Sequence, residues 1–338
     1  MIVSCGEALV DLLPEPVPGG GPMNVAVAAA RLGAPTAFLG RISTDDHGES
    51  ILEHLQANGV DVRACERGPE PTALARVEHV PQTVFHFEGS DTADMNLRRA
   101  ELSGLGAGGV LLHGGALGLF RGRTAVTLAE LAERHQGTVS LDPNVRPAII
   151  DDRARWWDFH RRWVENAHVY KASDEDLAWI WPGRTASACA DELLAGTAEV
   201  VFVTHGAGGV TVYTPGGEAV VAGREVDVVD TVGAGDTFVA AVLVALCERG
   251  LAGDPDGLGG LALDVWAAIA RRGVEVASVT CTRAGADPPT LDDLAQLLPG
   301  PRRSRAVRDG RGPVRRGSAA AWVRPPTHPG RERARCTS

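Results

Sequence analysis

The sequence predicts an α/β protein whose mostly parallel central sheet is covered by helices on both faces. Along its 338 residues, short apolar runs that suit buried strands alternate with amphipathic stretches that suit helices. This alternation is typical of parallel sheets, which are buried on both faces. With 44% hydrophobic residues, the chain is able to bury a substantial core. Ligands of such sheets bind at the carboxyl ends of the strands, so strand-ending segments are the candidates for a functional site.

The predicted elements follow one another in a regular order. Strands are expected at residues 2–5, 36–39, 109–113, 138–141, 168–170 and 200–204, and helices at residues 24–32, 48–58, 124–135, 153–166, 186–194 and 237–249. One segment departs from this order, because residues 72–88 alternate with period two around V-P-Q and therefore predict a hairpin. A hairpin inserted into an α/β order is expected to project as a lid.

Charge is distributed unevenly along the chain. The formal net charge is −10, but residues 301–338 contain eleven arginines and two acidic residues, for a charge of +9. Residues 1–300 therefore carry −19, which repels nucleic acid and anionic lipid. From Pro299 onward Arg, Pro, Gly and Ser dominate without hydrophobic periodicity, so this tail is expected to be disordered. The sequence thus predicts a folded domain over residues 1–300 and no nucleic-acid or membrane partner.

The six cysteines are scattered along the chain without any C-x-x-C spacing. This distribution fits reduced thiols better than a zinc site or a disulfide framework. The N-terminus M-I-V-S-C-G-E-A lacks the basic and apolar regions of a signal peptide, and no apolar run approaches the length of a membrane span. A cytoplasmic location is therefore expected.

The stretch V-D-T-V-G-A-G-D-T-F, residues 229–238, joins a strand-like run that ends at Asp230 to an amphipathic helix that begins at Thr237. The N–H groups of residues 233–236 are expected to face outward at the positive end of this helix. Such a turn binds a phosphate or a developing oxyanion, because glycines let the backbone approach closely. It is not a Walker loop, since no G-K-[ST] follows, and Lys171, the one lysine of the sequence, lies far upstream.

The carboxylate of Asp236 lies beside this predicted anion site. A phosphate cradle gains nothing from a carboxylate that repels its ligand, whereas phosphoryl transfer needs a group that accepts the proton of the attacking hydroxyl. Asp236 is equally able to serve as a helix N-cap, worth about 1 kcal/mol. The turn by itself leaves both interpretations open.

The same turn, D-T-V-G-A-G-D-T-F, resembles the C-terminal signature of the ribokinase (PfkB) family of sugar kinases. The resemblance implies that Asp236 is the catalytic base. It also implies an anion hole for the transferring phosphoryl group, formed by Gly233, Ala234 and Gly235.

The last motif, T-C-T-R-A-G-A-D-P-P at residues 280–289, resembles the final loop of the same family. By that resemblance, Asp230 helps to bind a monovalent cation such as K⁺ beneath the turn. Backbone carbonyls of Thr280 and Gly285 are expected to complete this cation site.

Two further motifs suggest where a sugar binds. P-G-G-G-P-M-N-V-A-V-A-A-A-R-L-G, residues 18–33, resembles the family's N-terminal signature, in which glycines precede an Asn at the head of a helix. Glycines let a polyol approach the backbone, and the Asn24 amide both donates to and accepts from hydroxyls. G-E-A-L-V-D, residues 6–11, resembles the strand-end motif of fructokinase-like members, where Asp11 would hold sugar hydroxyls. The candidate sugar contacts are Asp11, Gly19, Gly20, Gly21 and Asn24.

V-S-L-D-P-N-V-R-P, residues 139–147, ends a predicted strand and resembles the D-P-N-x-R of fructokinases and 2-keto-3-deoxygluconate kinases. Arg146 is expected to reach a substrate carboxylate or a phosphate, while Asp142 and Asn144 order the loop. A surface arginine is the alternative interpretation.

Two motifs suggest where a nucleotide binds. In Y-K-A-S-D-E-D-L, residues 170–177, Asp176 occupies the Glu position of the family's N-x-x-E, which organises Mg²⁺ through water, and the neighbouring carboxylates also suit Mg²⁺. Lys171 is expected either to contact nucleotide phosphate or to form a salt bridge. V-T-H-G-A-G-G-V, residues 203–210, resembles the T-x-G-x-x-G loop along the nucleotide. Its ATP-binding candidates are Thr204, Gly206 and Gly209.

Together the motifs imply a ribokinase-like three-layer α/β/α sandwich with a small β lid formed by residues 11–20 and 72–90. The lid is expected to be short, because six residues separate Asp11 from Pro18. The implied reaction is Mg²⁺-dependent transfer of the γ-phosphate of ATP to a primary hydroxyl of a monosaccharide. The motifs are most like those of bacterial fructokinases, which implies fructose 6-phosphate as the product. A homodimer formed through the lid is left open.

Two main alternatives to this function stay open, beside the remote one that the basic tail makes the protein a nucleic-acid adaptor. One is another substrate of the same family, such as 2-keto-3-deoxygluconate, a different sugar or a nucleoside; Glu88, in the lid stretch F-H-F-E-G-S, is expected to repel an acidic substrate. The other is a kinase-like binding protein that has lost turnover. The short lid favours this second alternative, whereas the intact turn at Asp236 disfavours it.

Overall fold

The computed structural model describes residues 1–12, 15–78, 84–105 and 109–297. Its strands are β1 (Ile2–Cys5), β2 (Leu9–Leu12), β3 (Pro16–Gly19), β4 (Thr36–Leu39), β5 (Arg41–Ser43), β6 (Glu66–Gly68), β7 (Leu74–Glu78), β8 (Val84–Glu88), β9 (Leu111–Gly115), β10 (Val139–Asp142), β11 (Val169–Ser173), β12 (Val200–Thr204), β13 (Val210–Thr214) and β14 (Gly217–Val221). Its α-helices are α1 (Gly21–Arg31), α2 (Asp46–Ala57), α3 (Gly122–Arg134), α4 (Arg153–Val164), α5 (Asp174–Ile180), α6 (Ala186–Leu194), α7 (Ala234–Glu248), α8 (Leu263–Thr280) and α9 (Leu291–Leu297). Every strand and helix that the sequence predicted by alternation is present, with ends within three residues.

The central sheet holds, among the described residues, eight strands in the order β14-β13-β12-β11-β10-β9-β1-β4. The six strands from β12 to β4 run parallel, and β13 and β14 add an antiparallel edge. All parallel strands therefore end at the same edge of the sheet. The predicted mostly parallel sheet is confirmed.

Both faces of the sheet are buried. Because side chains alternate along each strand, successive residues pack on opposite faces. In β12, for example, Val201 and Val203 pack in the cluster that includes α3, α4 and α6, whereas Phe202 packs with α1, α7 and α8. Each fully buried aliphatic or aromatic side chain stabilises the fold by about 2 kcal/mol relative to exposure. Helices on both faces complete the predicted three-layer α/β/α arrangement.

A second sheet, in the order β3-β2-β7-β8, forms the lid region. β7 and β8 pair antiparallel, as predicted from the period-two pattern, and the V-P-Q turn between them lies outside the described residues. β2 pairs with both β3 and β7. The six residues that separate Asp11 from Pro18 are therefore enough for a β2–β3 hairpin.

The segment that leads into the glycine turn is not a strand, so the prediction of a strand ending at Asp230 was wrong. Its valines are not buried: Val228 and Val229 are 61% and 64% exposed. Backbone N–H groups of Val229 and Asp230 instead donate to the carbonyl of Cys281, at 2.8 and 3.3 Å. An apolar run that borders an open cleft gives the same sequence pattern as a buried strand.

Residues Met1–Pro299 form one compact unit. The arginine-rich segment 301–338, predicted to be disordered, lies outside the described residues. Within the described ranges, no helix is both long and apolar enough to cross a lipid bilayer. The cysteines of these ranges are free thiols, namely Cys5, Cys65, Cys189, Cys247 and Cys281.

Candidate active site

A cleft of about 1480 Å³ opens at the carboxyl ends of the parallel strands. The motifs singled out in the sequence come from elements far apart in the chain, yet their residues line this one cleft. Among the lining residues are Asp11, Asn24, Arg146, Lys171, Thr204 and Asp236. The fold places them together because all parallel strands end at the same edge.

Asp236 lies in the first turn of α7 and is 8% exposed. The side-chain amide of Asn24, in the first turn of α1, donates a hydrogen bond of 2.9 Å to Oδ2 of Asp236. Burial raises the pKa of Asp236 to about 6, although the Asn24 hydrogen bond and the positive charges of Lys171 and Arg146 act in the opposite direction. At neutral pH the group is a carboxylate that accepts a proton readily.

The glycine turn begins with Gly233 in the left-handed conformation, at φ +74°. A Cβ at this position would lie 2.7 Å from the Cβ of Ala286, so a larger residue does not fit. The N–H groups of Gly235 and Asp236 belong to the first turn of α7, where a helix has no carbonyl of its own to pair with them. These N–H groups lie at the positive end of the helix dipole, where α7 begins at the cleft.

Lys171 and Asp142 form a buried ion pair at 2.8 Å, with side chains 8% and 6% exposed. Burial alone would lower the pKa of Lys171, but the charges of Asp142 and Asp176 outweigh it and raise that pKa. Lys171 therefore stays protonated. Its Nζ lies about 3.3 Å from where a Cβ on Gly235 would be, so the ammonium group of Lys171 also borders the glycine turn.

Asp11 lies on β2 of the lid, next to the cleft. Burial raises its pKa to about 6, and the charge of Asp236 adds to the shift. A Cβ on Gly19 would overlap the carboxylate of Asp11, which explains the glycine at that position. Gly20, at φ +114°, and Gly21 line the cleft at the start of α1.

Two strained residues flank Gly21. In the described part of the chain, Ala116 (φ +51°) and Asn144 (φ +38°) are the non-glycine residues with positive φ. A Cβ on Gly21 would lie 3.3 Å from the Cβ of Ala116 and 3.3 Å from Nδ2 of Asn144, and 3.6 Å from Oδ1 of Asp236. Backbone strain of this kind is concentrated at functional sites. Gly21, Ala116 and Asn144 all line the cleft.

Arg146 follows Asn144 in the loop after β10 and lines the cleft. Its guanidinium donates to the carbonyls of Asn144 and Val145, at 3.2 and 3.1 Å. The loop is held further by Asp142, whose Oδ1 accepts from the N–H of Asn144 at 3.2 Å. The side chain predicted to contact a substrate thus lies at the cleft and also ties its own loop together.

Ser173 and Asp176 form a capping box at the start of α5. Oδ2 of Asp176 accepts from the N–H and hydroxyl of Ser173, both at 2.8 Å, and Oδ1 accepts from the N–H of Val145 at 2.7 Å. Asp176 is thereby buried and tied to two strand ends. Asp174 and Glu175, in the same helical turn, are exposed at the cleft.

The loop after β12 borders the other end of the cleft, where Thr204, Gly206 and Gly209 all line it. Gly206 and Gly209 have positive φ, +55° and +97°, so the loop turns sharply there. His205, which sequence reasoning did not single out, contacts Thr211 Oγ1 at 2.9 Å and Asp174 at 3.5 Å. Its position directly after a strand end was the available signal.

Asp230 and Gly285 are in contact, since the N–H of Gly285 donates to Oδ2 of Asp230 at 2.9 Å. Oδ1 of Asp230 accepts from the N–H of Val232 at 3.1 Å. Thr280 is the last residue of α8, and its hydroxyl donates to Oγ1 of Thr237 at 3.0 Å. The three candidate cation ligands therefore lie around the base of the glycine turn.

Glu88, which was expected to repel an acidic substrate, lies in an ion pair of 2.9 Å with Arg76 on the lid. Both side chains are about half exposed. Glu88 is not among the described residues that line the cleft, so the structure gives no contact that supports the expected repulsion.

Comparison with known proteins agrees with this arrangement. A family model described as "pfkB family carbohydrate kinase" matches residues 14–293, which is most of the chain. The chain belongs to the pfkB family. It is a carbohydrate kinase, and the predicted family membership is confirmed.

Relatives of this pfkB kinase include several fructokinases. The fructokinase of Rhizobium leguminosarum bv. trifolii is 38% identical over 259 residues, covering 73% of this chain and 79% of the relative. The crystal structure of a fructokinase from Xylella fastidiosa with bound ATP superposes with a TM-score of 0.78 at 28% identity, covering 88% and 97% of the two chains. A fructokinase double mutant of Vibrio cholerae O395, bound to fructose, ADP and potassium ion, gives a TM-score of 0.72 at 26% identity, covering 84% and 93%. The ribokinase-like fold predicted from the motifs is confirmed.

The pfkB kinase also carries a buried acid that sequence reasoning passed over. Glu7, at the end of β1, is 2% exposed and lines the cleft. Burial raises its pKa to about 8, with the charges of Asp94 and Asp236 adding to the shift, while the N–H of Gly118 donates to it at 2.9 Å. Its place inside G-E-A-L-V-D was the signal, but the motif directed attention to Asp11.

Proposed function

We propose that this pfkB kinase transfers the γ-phosphate of ATP to the 6-hydroxyl of fructose, giving fructose 6-phosphate and ADP. The observation that carries the proposal is the buried Asp236 carboxylate, which Asn24 orients at the N-terminus of α7. The relatives at 38% and 36% identity are fructokinases, and the Vibrio structure contains fructose and ADP. These likenesses favour fructose among the sugars.

In this proposal Asp236 is the general base. As the 6-hydroxyl oxygen of fructose forms a bond to the γ-phosphorus, its proton passes to Asp236 and the bond between that phosphorus and the β,γ-bridging oxygen breaks. The bridging oxygen leaves with ADP. A pKa of about 6 suits this role, because the group is ionised at neutral pH and still basic enough to take the proton.

Gly233, Ala234 and Gly235 are proposed as the anion hole, in which the N–H of Ala234 also donates to the carbonyl of Thr231 at 3.3 Å. Phosphoryl transfer depends on stabilising charge spread over the equatorial oxygens, and preorganised N–H groups do so without rearrangement. Lys171 supports them with a positive charge beside Gly235. Its ion pair with Asp142 holds the ammonium group in place, which is compatible with the phosphate contact proposed for Lys171.

The sugar is proposed to occupy the space around Gly21. Asp11 and Asn24 would bind its hydroxyls, and Gly19 and Gly20 would let it approach the backbone. Arg146 would stand at the phosphate side, where its charge already lowers the pKa of Asp236. All of these groups line the same cleft.

ATP is proposed to lie along the loop that contains Thr204, Gly206 and Gly209, with Mg²⁺ held near the start of α5. Mg²⁺ prefers oxygen ligands and keeps several waters. This fits a turn where Asp174 and Glu175 are exposed and where Oδ1 of Asp176 accepts a hydrogen bond from Val145 and keeps a further lone pair. Asp176 is proposed to hold the ion through water. When bound, Mg²⁺ neutralises charge on the phosphates.

K⁺ is proposed to bind at Asp230 and at the carbonyls of Thr280 and Gly285. Each of these carbonyls accepts one backbone hydrogen bond, from Arg283 and Asp287 respectively, and keeps a second lone pair. The donor set is therefore oxygen-rich and close to the turn, as a monovalent cation requires.

The test is ATP consumption by the full chain over fructose, ribose, 2-keto-3-deoxygluconate, adenosine and tagatose 6-phosphate, with Mg²⁺ and with K⁺ or Na⁺. We expect the largest kcat/KM on fructose, and a ³¹P spectrum that places the phosphate on the 6-hydroxyl. Asp236→Asn purified in the same way controls for a contaminating kinase. Faster turnover of another substrate would overturn the assignment of fructose. Absence of turnover on all of them, with thermal stabilisation by ATP, would instead support a binding protein.

A further inference from the structure

The loop after α8, residues 281–288, packs directly against the glycine turn. Its Cys281 carbonyl accepts from the N–H groups of Val229 and Asp230, and its Gly285 N–H donates to the Asp230 carboxylate. Ala286 occupies the space that a side chain on Gly233 would need. The conformation of the turn therefore depends on where this loop lies.

Arg31, the last residue of α1, holds the loop from its far side. Its Nη1 donates to the Asp287 carboxylate and, at 2.6 Å, to the carbonyl of Pro288. Its Nε donates to Oδ1 of Asn58 at 2.6 Å, which fixes the guanidinium against the C-terminal end of α2. One arginine thus joins two neighbouring elements to the loop, in the planar forked geometry that lysine lacks.

The same helix also touches the reacting end of the site. Asn24, in the first turn of α1, donates to Asp236. Arg31 lies about two turns further along, at a rise of about 1.5 Å per residue. Helix α1 packs against α7, so it contacts the base at one end and the loop that supports the glycine turn at the other.

We propose that Arg31 is a positioning residue for phosphoryl transfer, acting through Asp287 and the 281–288 loop on the turn at Gly233. The proposal rests on the function proposed above for Asp236 and that turn. Anchoring the loop keeps the turn's N–H groups aligned with the base. A displacement of about 1 Å at such a site lowers a rate by up to about 100-fold, even when the substitution is remote.

Kinetics of four variants test this role: Arg31→Ala, Arg31→Lys, Asp287→Asn and the Arg31→Ala/Asp287→Asn double variant. We expect Arg31→Ala to lower kcat about tenfold and to change the KM for fructose less than twofold. Arg31→Lys keeps the charge but not the fork, so only partial rescue is expected. In the double variant the effects should add only in part, because both changes break the Arg31–Asp287 pair, while Asp287→Asn also weakens the pair of Asp287 with Arg283 at 3.3 Å.

The matched control is Arg272→Ala, which removes an ion pair with Glu248 between α8 and α7, of similar exposure to the Arg31–Asp287 pair. A kcat within twofold of wild type is expected there. The proposal would be overturned if Arg31→Ala also kept kcat within twofold, or if Arg272→Ala lowered kcat as much.

Amide hydrogen exchange separates this proposal from the choice of substrate. In the substrate-free full chain, Arg31→Ala should accelerate exchange in peptides that cover residues 229–235 and 281–288, with peptides of α4 unchanged. Unchanged exchange in both peptides would refute the connection. If the exchange pattern is as expected while wild type fails to phosphorylate any sugar, the function proposed for the site is wrong. The connection from Arg31 through the 281–288 loop to the glycine turn is then still supported.

Discussion

The side-chain amide of Asn24 donates a hydrogen bond of 2.9 Å to Oδ2 of Asp236, across 212 residues of sequence. The bond joins the first turns of α1 and α7, which pack against each other. It fixes the orientation of the carboxylate and favours its ionised form. The bond therefore links the glycine turn directly to the proposed sugar pocket, in addition to the packing of α1 against α7.

Asp236→Asn should lower turnover about 100-fold or more, because an amide does not accept the hydroxyl proton. ATP affinity should stay within a few-fold, since the proposed ATP contacts lie elsewhere in the cleft. Steady-state kinetics and ATP titration measure the two quantities. Asp264→Asn, at an exposed position in the first turn of α8, is the matched control and should leave both unchanged. Turnover like that of wild type in Asp236→Asn would refute the role of the base.

The rate should depend on the ionisation of Asp236. Since burial raises its pKa to about 6 and the base acts when deprotonated, kcat/KM should fall as the pH drops below about 6. Asp11, also with a pKa of about 6, should steepen the fall. Lys171 and Arg146 face the same carboxylate and keep its pKa from rising further.

Asn24→Ala removes the hydrogen bond that favours the ionised carboxylate, so the midpoint of this pH profile should move above that of wild type. A profile of kcat/KM from pH 5 to 9 measures the shift. Asn166→Ala removes an amide that donates to the carbonyl of Arg162 at the end of α4, and it should not move the midpoint. An unchanged midpoint in Asn24→Ala would show that the bond does not tune the base.

Stability should respond to pH in the opposite direction from activity. The folded pKa of Asp236 is raised from 3.8 to about 6, so the stability contributed by its protonation is fully present below about pH 3.8 and is lost as the pH rises through about 6. Above pH 6 the buried charge destabilises the folded state. Asp236→Asn should then be more stable than wild type at pH 8, by about 3 kcal/mol, and no more stable near pH 4. Thermal unfolding at both pH values measures this, with Asp264→Asn as the control.

Local sequence was enough to predict the glycine turn and the position of Asp236 at the start of a helix, because glycines, an acidic residue and an amphipathic helix lie side by side in the chain. It could not predict which side chains are buried or which residues they contact. Whether Lys171 binds phosphate or pairs with a carboxylate depends on Asp142, which the parallel sheet places in the neighbouring strand. The strand predicted before Asp230 failed because an apolar pattern does not reveal whether its valines face a core or a cleft.

The sequence also did not predict the strained backbone of Ala116 and Asn144, which line the cleft. Asn is tolerated in the left-handed region, but Ala116 gives no local signal for its positive φ. The two residues follow neighbouring strands, whose ends at Gly115 and Asp142 are paired in register. Local preferences lose to tertiary context where the site is built.

Gly21→Ala should block the proposed sugar position without unfolding the chain. The added methyl would lie 3.3 Å from both Ala116 Cβ and Asn144 Nδ2, in the lining of the cleft. Contacts of 3.3 Å are tighter than ordinary van der Waals contacts, so Ala116 and Asn144 must shift by a few tenths of an ångström and the unfolding temperature should fall slightly. We expect the KM for fructose to rise about tenfold or more, which corresponds to the loss of about 1.4 kcal/mol of binding. Gly260→Ala, in an exposed turn where the new methyl meets only a carbonyl at 3.5 Å, is the control.

Adding Ala116→Gly to Gly21→Ala sharpens this test, because it removes one of the two atoms that crowd the new methyl. If the space around Gly21 holds the sugar, the double variant should recover part of the lost affinity, whereas Ala116→Gly by itself should weaken fructose binding slightly through a lost contact of about 1 kcal/mol. The left-handed backbone at residue 116 suits glycine, so the fold should tolerate the change. Steady-state kinetics on the three variants measure the KM values. A KM for Gly21→Ala equal to that of wild type would place the sugar elsewhere in the cleft.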